Sequence, residues 1–309
     1  MTSQDQRKAI VFYHDNCSDG FGAAWAWHKC LHDSYTDVAY VPVKYGDDPF
    51  TFGVEFHLVN VYILDFFFPR ETLTAIGQFA NKVVVIDHHK TAAEDLLNWE
   101  PPENIHVFFD MEYSGASLTW LILAPNTPPS PLISYIEDRD LWRHKLPYTH
   151  EVSAVIANTP KTFEAYTNLS MQLNNSIVGV ADRGKDLLAQ HRRICEEIVK
   201  DSRPCSIQTD SGIYHGLACN CTPQFASDVG NLLATDSGTF GATYYTTGKG
   251  DVKWSIRSKG DYDVSIIAKA YGGGGHKNAA GFTLGQDGSS CANPAIAIWK
   301  VNGTEGYEP

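Results

Sequence analysis

Short apolar runs alternate with amphipathic stretches over the first two hundred residues. Ala9-Ile-Val-Phe-Tyr13, Val38 to Val43, Val59 to Leu64 and Val83 to Ile86 are β-rich and bounded by polar residues, which is the pattern of buried strands. Helical patterns fall between them, one from Gly20 to about His32 and another opened by Pro69 and continuing through Gly77. Further helices are expected at Ser114 to Leu123, Leu132 to Asp138 and about Val180 to Lys200. This rhythm predicts an α/β fold with an N-terminal parallel sheet.

The pattern changes near Asp201-Ser-Arg-Pro204. A strand near Tyr214 to Cys219, a helix from about Gln224 to Ala234 and a hairpin of Gly241 to Thr246 with Val252 to Ser258 follow. A short helix, Val264 to Tyr271, then runs into Gly272-Gly-Gly-Gly-His276. The expected division is 1–200, a first domain with a helical linker, then 201–285, a smaller α/β domain. Residues 286–309, rich in Gly, Ser, Asn and Pro, are expected to be a loosely held tail with an apolar patch at Ala295 to Trp299.

With 309 residues, 43% of them hydrophobic, the chain can bury two cores. Lys+Arg 24 against Asp+Glu 36 leaves a formal net charge of -12, so no overall cationic field draws a polyanion to the surface and any phosphate recognition must be local. No apolar run reaches the roughly 18 residues of a membrane span, and the first residues lack a signal-peptide core. A soluble, cytoplasmic protein without membrane contact is expected. The seven cysteines are odd in number and irregularly spaced, which fits free thiols better than a disulfide framework or paired zinc knuckles.

The chemistry gathers at the ends of the apolar runs. Val83-Val-Val-Ile is followed at once by Asp87, His88 and His89, and carboxylate with neutral imidazole suits Mn²⁺, Fe²⁺ or Zn²⁺. By itself such a triplet is better explained by a solvated loop. Asp65 after Val61-Tyr-Ile-Leu64, and His14 and Asp19 beyond the first run, repeat the placement, and in an open parallel sheet these ends form the ligand crevice. A fourth acidic group, Glu137-Asp138-Arg139-Asp140, closes a helix at the end where carboxylates oppose the dipole. Four acidic positions with His88 supply ligands for two metals roughly 3.5 to 4 Å apart, the arrangement that activates water and supports in-line phosphoryl displacement.

Taken in order, Tyr13-His-Asp-Asn-Cys-Ser-Asp-Gly20, Ile63-Leu-Asp65, Asp87-His-His89, Glu137-Asp-Arg-Asp140 and Gly272-Gly-Gly-Gly-His276 resemble the motifs of the DHH phosphoesterase superfamily with its DHH-associated C-terminal domain, over nearly the whole chain. The resemblance implies a parallel-sheet catalytic domain, a smaller C-terminal domain and an active site in the cleft between them. It implies Mn²⁺-dependent hydrolysis of phosphoester or phosphoanhydride bonds, with two ions per chain, and leaves Zn²⁺, Fe²⁺ and Mg²⁺ open. By the same resemblance Asp65 bridges both metals, while Asp19, His88 and Asp138 hold one of them, with Asp140 as the alternative to Asp138. His89 faces the substrate phosphate and Asp87 orients the histidines, so Asp87, His88 and His89 form the catalytic group. Cys17 stands where the family carries an Asp, and His14 is displaced by one residue, so the second metal rests on His14 and on a Cys17 that is either ligand or structural thiol.

In the C-terminal domain, Gly273, Gly274 and Gly275 let backbone approach a phosphate, and His276 and Arg257 add donors. A flexible turn and a solvated strand residue are the plainer accounts of these positions. Phe66-Phe-Phe68, Trp25, Trp27, Trp120 and Trp142 are expected in cores or domain contacts sooner than against a base. The charge and motifs favour a short RNA oligonucleotide or a phosphorylated nucleotide over long duplex nucleic acid, as in the nano-RNase, oligoribonuclease-like and exonuclease branch, and a homodimer is compatible with this reading. The alternatives are a pyrophosphatase or polyphosphatase, and a nucleotide-binding protein with a degenerate metal site.

Overall fold

The computed structural model describes residues 8–15, 17–89, 92, 96, 98–285 and 299–301. The chain divides into two compact units, Met1–Leu188 and Ala189–Pro309. In the first, β1 (Lys8–His14), β2 (Asp37–Val43), β3 (Asn60–Leu64), β4 (Lys82–Asp87) and β5 (Ile105–Phe109) form a sheet in the order β2-β1-β3-β4-β5. All of its pairings are parallel.

The two-residue alternation of strands explains why these runs are apolar throughout. Val11, Tyr62, Leu64, Val84 and Ile86 face one core, completed by α1 (Ser18–Leu31), α3 (Gly115–Leu123), α4 (Pro131–Asp140), α5 (Thr149–Asn158) and α6 (Phe163–Asn175). Ile10, Phe12, Val61, Ile63, Val83 and Val85 face the other, with α2 (Arg70–Gly77) and Phe66 to Phe68 packed on it. Each fully buried aliphatic or aromatic side chain there contributes roughly 1.5–3 kcal/mol, so a charge at Ile63 would break both the transfer term and the packing. The strand order reverses direction between β1 and β3, the topological switch point at which open α/β sheets hold their ligands. His14, Asp65 and Asp87 lie at the carboxyl ends of β1, β3 and β4.

Helix α7 (Ile177–Lys200) contains the boundary between the units. The second unit is a sheet in the order β10-β11-β9-β8-β7-β6-β12, where β6 is Arg203–Thr209, β7 Gly212–Asn220, β8 Phe240–Thr246, β9 Val252–Ser258, β10 Gly274–His276, β11 Ala279–Leu284 and β12 Trp299–Val301. Only β7 and β8 run parallel, joined through α8 (Ala226–Ser237), and α9 (Ser265–Ala270) precedes β10. Phe240, Trp254, Ile256, Ile267 and Phe282 anchor its core.

Several elements were not foreseen. β5 is an edge strand with alternately exposed residues and lacks a continuous apolar run. α5 and α6 are rich in Ser, Thr, Asn and β-branched residues, which weaken the helical pattern. Residues 299–301, expected in a loose tail, pair with β6 as β12, while the rest of the expected apolar patch lies outside the described residues. Trp142, expected in a core or contact, is 68% exposed, with the Arg139 guanidinium 3.8 Å from its ring centroid. Phe66 to Phe68, Trp25 and Trp27 are buried. Among the described residues no helix is long and apolar enough to cross a membrane, and the six described cysteines are free.

Candidate metal centre

The strand ends of the first unit bring Asp65, His14, Asp19, His88, His89 and Asp140 together. Asp65 is completely buried and sits in the left-handed region at φ 53°, where the chain turns out of β3. An Asp in that conformation stores strain of the kind that collects at functional sites. Its carboxylate is 3.2 Å from His88 Nε2 (Oδ1) and 3.7 Å from His14 Nδ1 (Oδ2). Neither oxygen receives an aligned hydrogen bond, and His14 Nδ1 is likewise buried without one. Burial works against the charge of Asp65, but the imidazoles of His14 and His88 outweigh it and hold its carboxyl below the ordinary value.

Asp19 enters from the first turn of α1. Its Oδ2 accepts from Gly115 N at 2.6 Å and its Oδ1 from Ala116 N at 2.9 Å, so it caps the start of α3. Gly115 has to be glycine, because a Cβ there would lie 2.5 Å from Asp65 Cβ and 2.6 Å from its Oδ1. His88 Nε2 is 3.5 Å from Asp19 Oδ2 and 3.6 Å from Asp140 Oδ2. Burial, with Asp65 and then Asp140 as negative neighbours, pushes the Asp19 carboxyl well up. Burial and Asp65 raise Asp140 as well. His88 is raised because Asp65 outweighs its burial.

Asp87 acts on the neighbouring histidine. Its Oδ1 accepts from His88 N at 2.8 Å and lies 2.7 Å from His89 Nδ1. That contact raises His89 to about 9.

The acidic group on α4 divides. Asp138, the expected ligand, instead accepts from Lys145 N at 2.9 Å, Leu146 N at 3.1 Å and the Thr149 hydroxyl. It thereby ties down a loop in which Trp142, His144 and Tyr148 all take left-handed conformations. Burial disfavours its charge, but Thr149 and the two amides offset this and hold the carboxyl below its ordinary value. Asp140 is the residue that meets His88. Successive helical residues are about 100° apart, so positions two apart point to nearly opposite sides and only one of the pair can face the cluster. Asp140, and not the expected Asp138, is therefore the acid of α4 that joins the cluster. Glu137 pairs with Arg143 at 2.7 Å and accepts from Ser117 Oγ.

Cys17 lies in one triad with His14 and Asp65, its Sγ within 4.8 Å of their ligand atoms. Burial, followed by the charge of Asp65, pushes its thiol up to about 12. The other triads are Asp65 with His88 and His89, and Asp19 with His88 and Asp140. Buried carboxylate lone pairs that no donor meets, ringed by imidazoles, fit a divalent cation, and the donor set of carboxylate and imidazole suits Mn²⁺, Fe²⁺, Zn²⁺ or Mg²⁺.

The remaining sequence candidates lie in the second unit. Arg257, on β9, donates to Ser255 Oγ, Ile256 O and Ser227 Oγ. His276 and Arg257 both stand opposite Ala279 in the β10-β11-β9 register and so share one face of the sheet. Gly273 and Gly275 are required by packing, since a Cβ at either would lie 2.1 Å from Gly281 O or 2.5 Å from Ala279 O respectively; Gly274 has open space. The glycine run is a turn at Gly272 that leads directly into the β10-β11 pairing at Gly274. Sequence reasoning missed Gly115, whose only signal was the helix-start pattern after Ser114, and Thr149, which nothing in the pattern marks.

Residues 221–296 match the DHHA1 domain. The chain is 33% identical over 289 residues to the uncharacterised protein R106 of Acanthamoeba polyphaga mimivirus, an alignment covering 89% of this chain and 67% of R106. Among solved structures it resembles an exopolyphosphatase-related protein from Bacteroides fragilis, with TM-score 0.45, 14% identity and coverage of 89% and 86% of the two chains. It also resembles RecJ from Thermus thermophilus in complex with Mn²⁺, with TM-score 0.46, 13% identity and coverage of 90% and 50%. The second unit thus carries a DHHA1 domain, and over most of its length the chain belongs to one family with R106.

Proposed function

We propose that the protein is a metal-dependent phosphoesterase that hydrolyses short oligoribonucleotides or small phosphorylated nucleotides. The observation that carries this reading is Asp65, a fully buried carboxylate with both oxygens unmet by aligned donors, between His14 on one side and His88 on the other. His14, Cys17 and Asp65 would hold one ion and Asp19, His88 and Asp140 the other, with Asp65 beside both sets. Divalent ions bound there supply an activated water and positive charge for in-line displacement at phosphorus.

The protein's own groups prepare that step. Asp19 is fixed by two backbone amides, so its oxygens do not need to reorganise. Asp87 holds His89 by Nδ1 and raises it to about 9, so the ring stays an imidazolium near neutral pH with Nε2 as the atom that donates to a phosphate oxygen. In the second unit, Arg257, His276 and the backbone of Gly273, Gly274 and Gly275 are assigned to phosphate contact. A net charge of -12 disfavours long duplex nucleic acid and anionic membranes, and the expected setting is the cytoplasm.

The test is Mn²⁺-dependent hydrolysis of a 5′-phosphorylated RNA dinucleotide beside pyrophosphate and 3′-phosphoadenosine 5′-phosphate, with His88→Ala as control. Mononucleotide release lost in the variant supports the reading. Preference for pyrophosphate moves the protein to the pyrophosphatase reading, and ligand binding without turnover of any of the three overturns an enzymatic role.

A further inference from the structure

The metal centre has an aromatic flank on one side. Tyr45 lies with its ring centroid 4.8 Å from Phe66, 5.6 Å from His14 and 6.4 Å from His89. The Phe66 ring is 2% exposed and sealed into the core, whereas Tyr45 is 56% exposed. Tyr45 is also held in place. Lys44 N donates to Asp47 Oδ2 at 2.8 Å and Asp47 N donates to Lys44 O at 3.0 Å, closing a four-residue turn. Gly46 takes φ 96° at the third position, as a type II turn requires. Lys44 Nζ in turn meets Asp15 Oδ2 at 3.1 Å, which fastens the turn to the loop after β1.

A cavity of about 350 Å³ opens beside this ring, walled by Tyr45, Phe66, Pro49 and Pro69. That is the low end of the size range of small-molecule sites, enough for one compact group. Its described lining includes Asp47 and Asp48 but neither Lys nor Arg. Among the described lining residues, a second or third phosphate of an inorganic chain would meet two carboxylates and no Lys or Arg. An uncharged planar ring meets apolar walls and an exposed aromatic face.

We infer that Tyr45 is the stacking platform for a nucleobase of the substrate, so that the site takes a nucleotide and not a bare phosphate chain. The inference rests on the phosphoesterase reading and names the side chain that holds the base of its nucleotide substrate. Stacking on one aromatic side chain changes affinity by about 10- to 100-fold, because every base offers a π-face.

The experiment compares wild type, Tyr45→Ala and Tyr45→Phe with Mn²⁺ on a 5′-phosphorylated dinucleotide and on the same compound with one base, then the other, replaced by hydrogen. Wild type is expected to prefer the base-bearing compound at one position by about 10- to 100-fold in kcat/KM. Tyr45→Ala is expected to bring that preference to within about twofold, carried mainly by KM, and Tyr45→Phe to keep it. Unchanged preference in Tyr45→Ala overturns the inference, as does a wild type indifferent to the bases. If wild type cuts none of the compounds, the phosphoesterase reading fails, and calorimetric binding of the same ligands then decides the role of Tyr45. A base-dependent affinity lost in Tyr45→Ala supports the platform; one retained, or absent from wild type, overturns it.

Discussion

Asp138 and Asp140 stand two residues apart on α4, and the structure gives them opposite tasks, so truncating each to Ala should have opposite consequences. Asp138→Ala removes the acceptor of two backbone amides and the Thr149 hydroxyl. A hydrogen bond to a charged group contributes about 1.5–3 kcal/mol, and stranded donors add a penalty. The loop borders solvent, so water recovers part of the loss and about 3 kcal/mol is the expected cost. In a unit of this size 1 kcal/mol moves Tm by roughly 2–4 °C, so Tm should fall by about 6–12 °C. Asp140→Ala removes a partly exposed carboxyl whose charge is opposed by desolvation and by Asp65. The metal-free protein should therefore melt at or slightly above the wild-type temperature.

Metal reverses the comparison. At a hundredfold excess over Kd, a bound ion stabilises the folded state by about 2.7 kcal/mol, which is roughly 5–11 °C here. Wild type and Asp138→Ala should both gain that increment with Mn²⁺, and Asp140→Ala should lose most of it. The assay is scanning calorimetry with chelator and with Mn²⁺, beside calorimetric metal titration. The reasoning is refuted if metal-free Asp140→Ala melts as low as Asp138→Ala, or if Mn²⁺ lifts Asp140→Ala in full and leaves Asp138→Ala unmoved.

Gly115→Ala would place a Cβ 2.5–2.8 Å from the Asp65 side chain, displacing the central carboxylate. Mn²⁺ affinity should fall by about 10- to 100-fold, as for other residues that support ligands, while circular dichroism stays native; unaltered affinity would sink the prediction. The metal-free protein should lose stability as pH rises from 6.5 through about 9. His89 is raised from 6.5 to about 9, chiefly by Asp87, so its stabilising contribution is complete below 6.5 and is lost as the folded group deprotonates. His88 acts in the same direction. Melting in chelator at several pH values checks this, and a His89→Gln variant with the same slope as wild type would refute the assignment.

What could be read from the sequence follows from which forces act locally. The strands of the first sheet announce themselves because helices cover both faces, so β1, β3 and β4 are apolar at every position between their polar ends. Strand-end placement then follows from a single turn of chain, which is why His14, Asp65 and Asp87 fall where their runs stop. Choosing between Asp138 and Asp140 needed the rotational phase of α4 about its axis. That phase is set by Leu132, Ile133 and Ile136 packing into the core and by the loop that Asp138 secures, which are tertiary facts. β5 and β11 were invisible for the related reason that short or half-exposed strands are defined by their neighbours.

The glycines show the same division between local pattern and tertiary requirement. Gly273 and Gly275 look like a phosphate loop in the sequence, yet their lack of a side chain is already demanded by the approach of β11. Gly115, in no conspicuous motif, is the glycine on which the cluster depends, because α3 must start close enough to Asp65 for its first amides to hold Asp19. Two carboxylates thus reach the switch point by different means. Asp65 is forced there by a strained strand end, and Asp19 is fastened there by a helix N-terminus. Both means concentrate negative charge in a dry site, which elementary electrostatics opposes. Raised Asp19 and Asp140 and raised His88 and His89 are how the metal-free protein copes, with protons occupying the positive role. A divalent cation fills that role more strongly, so the arrangement that costs the empty fold stability is the one that gives the ion its affinity.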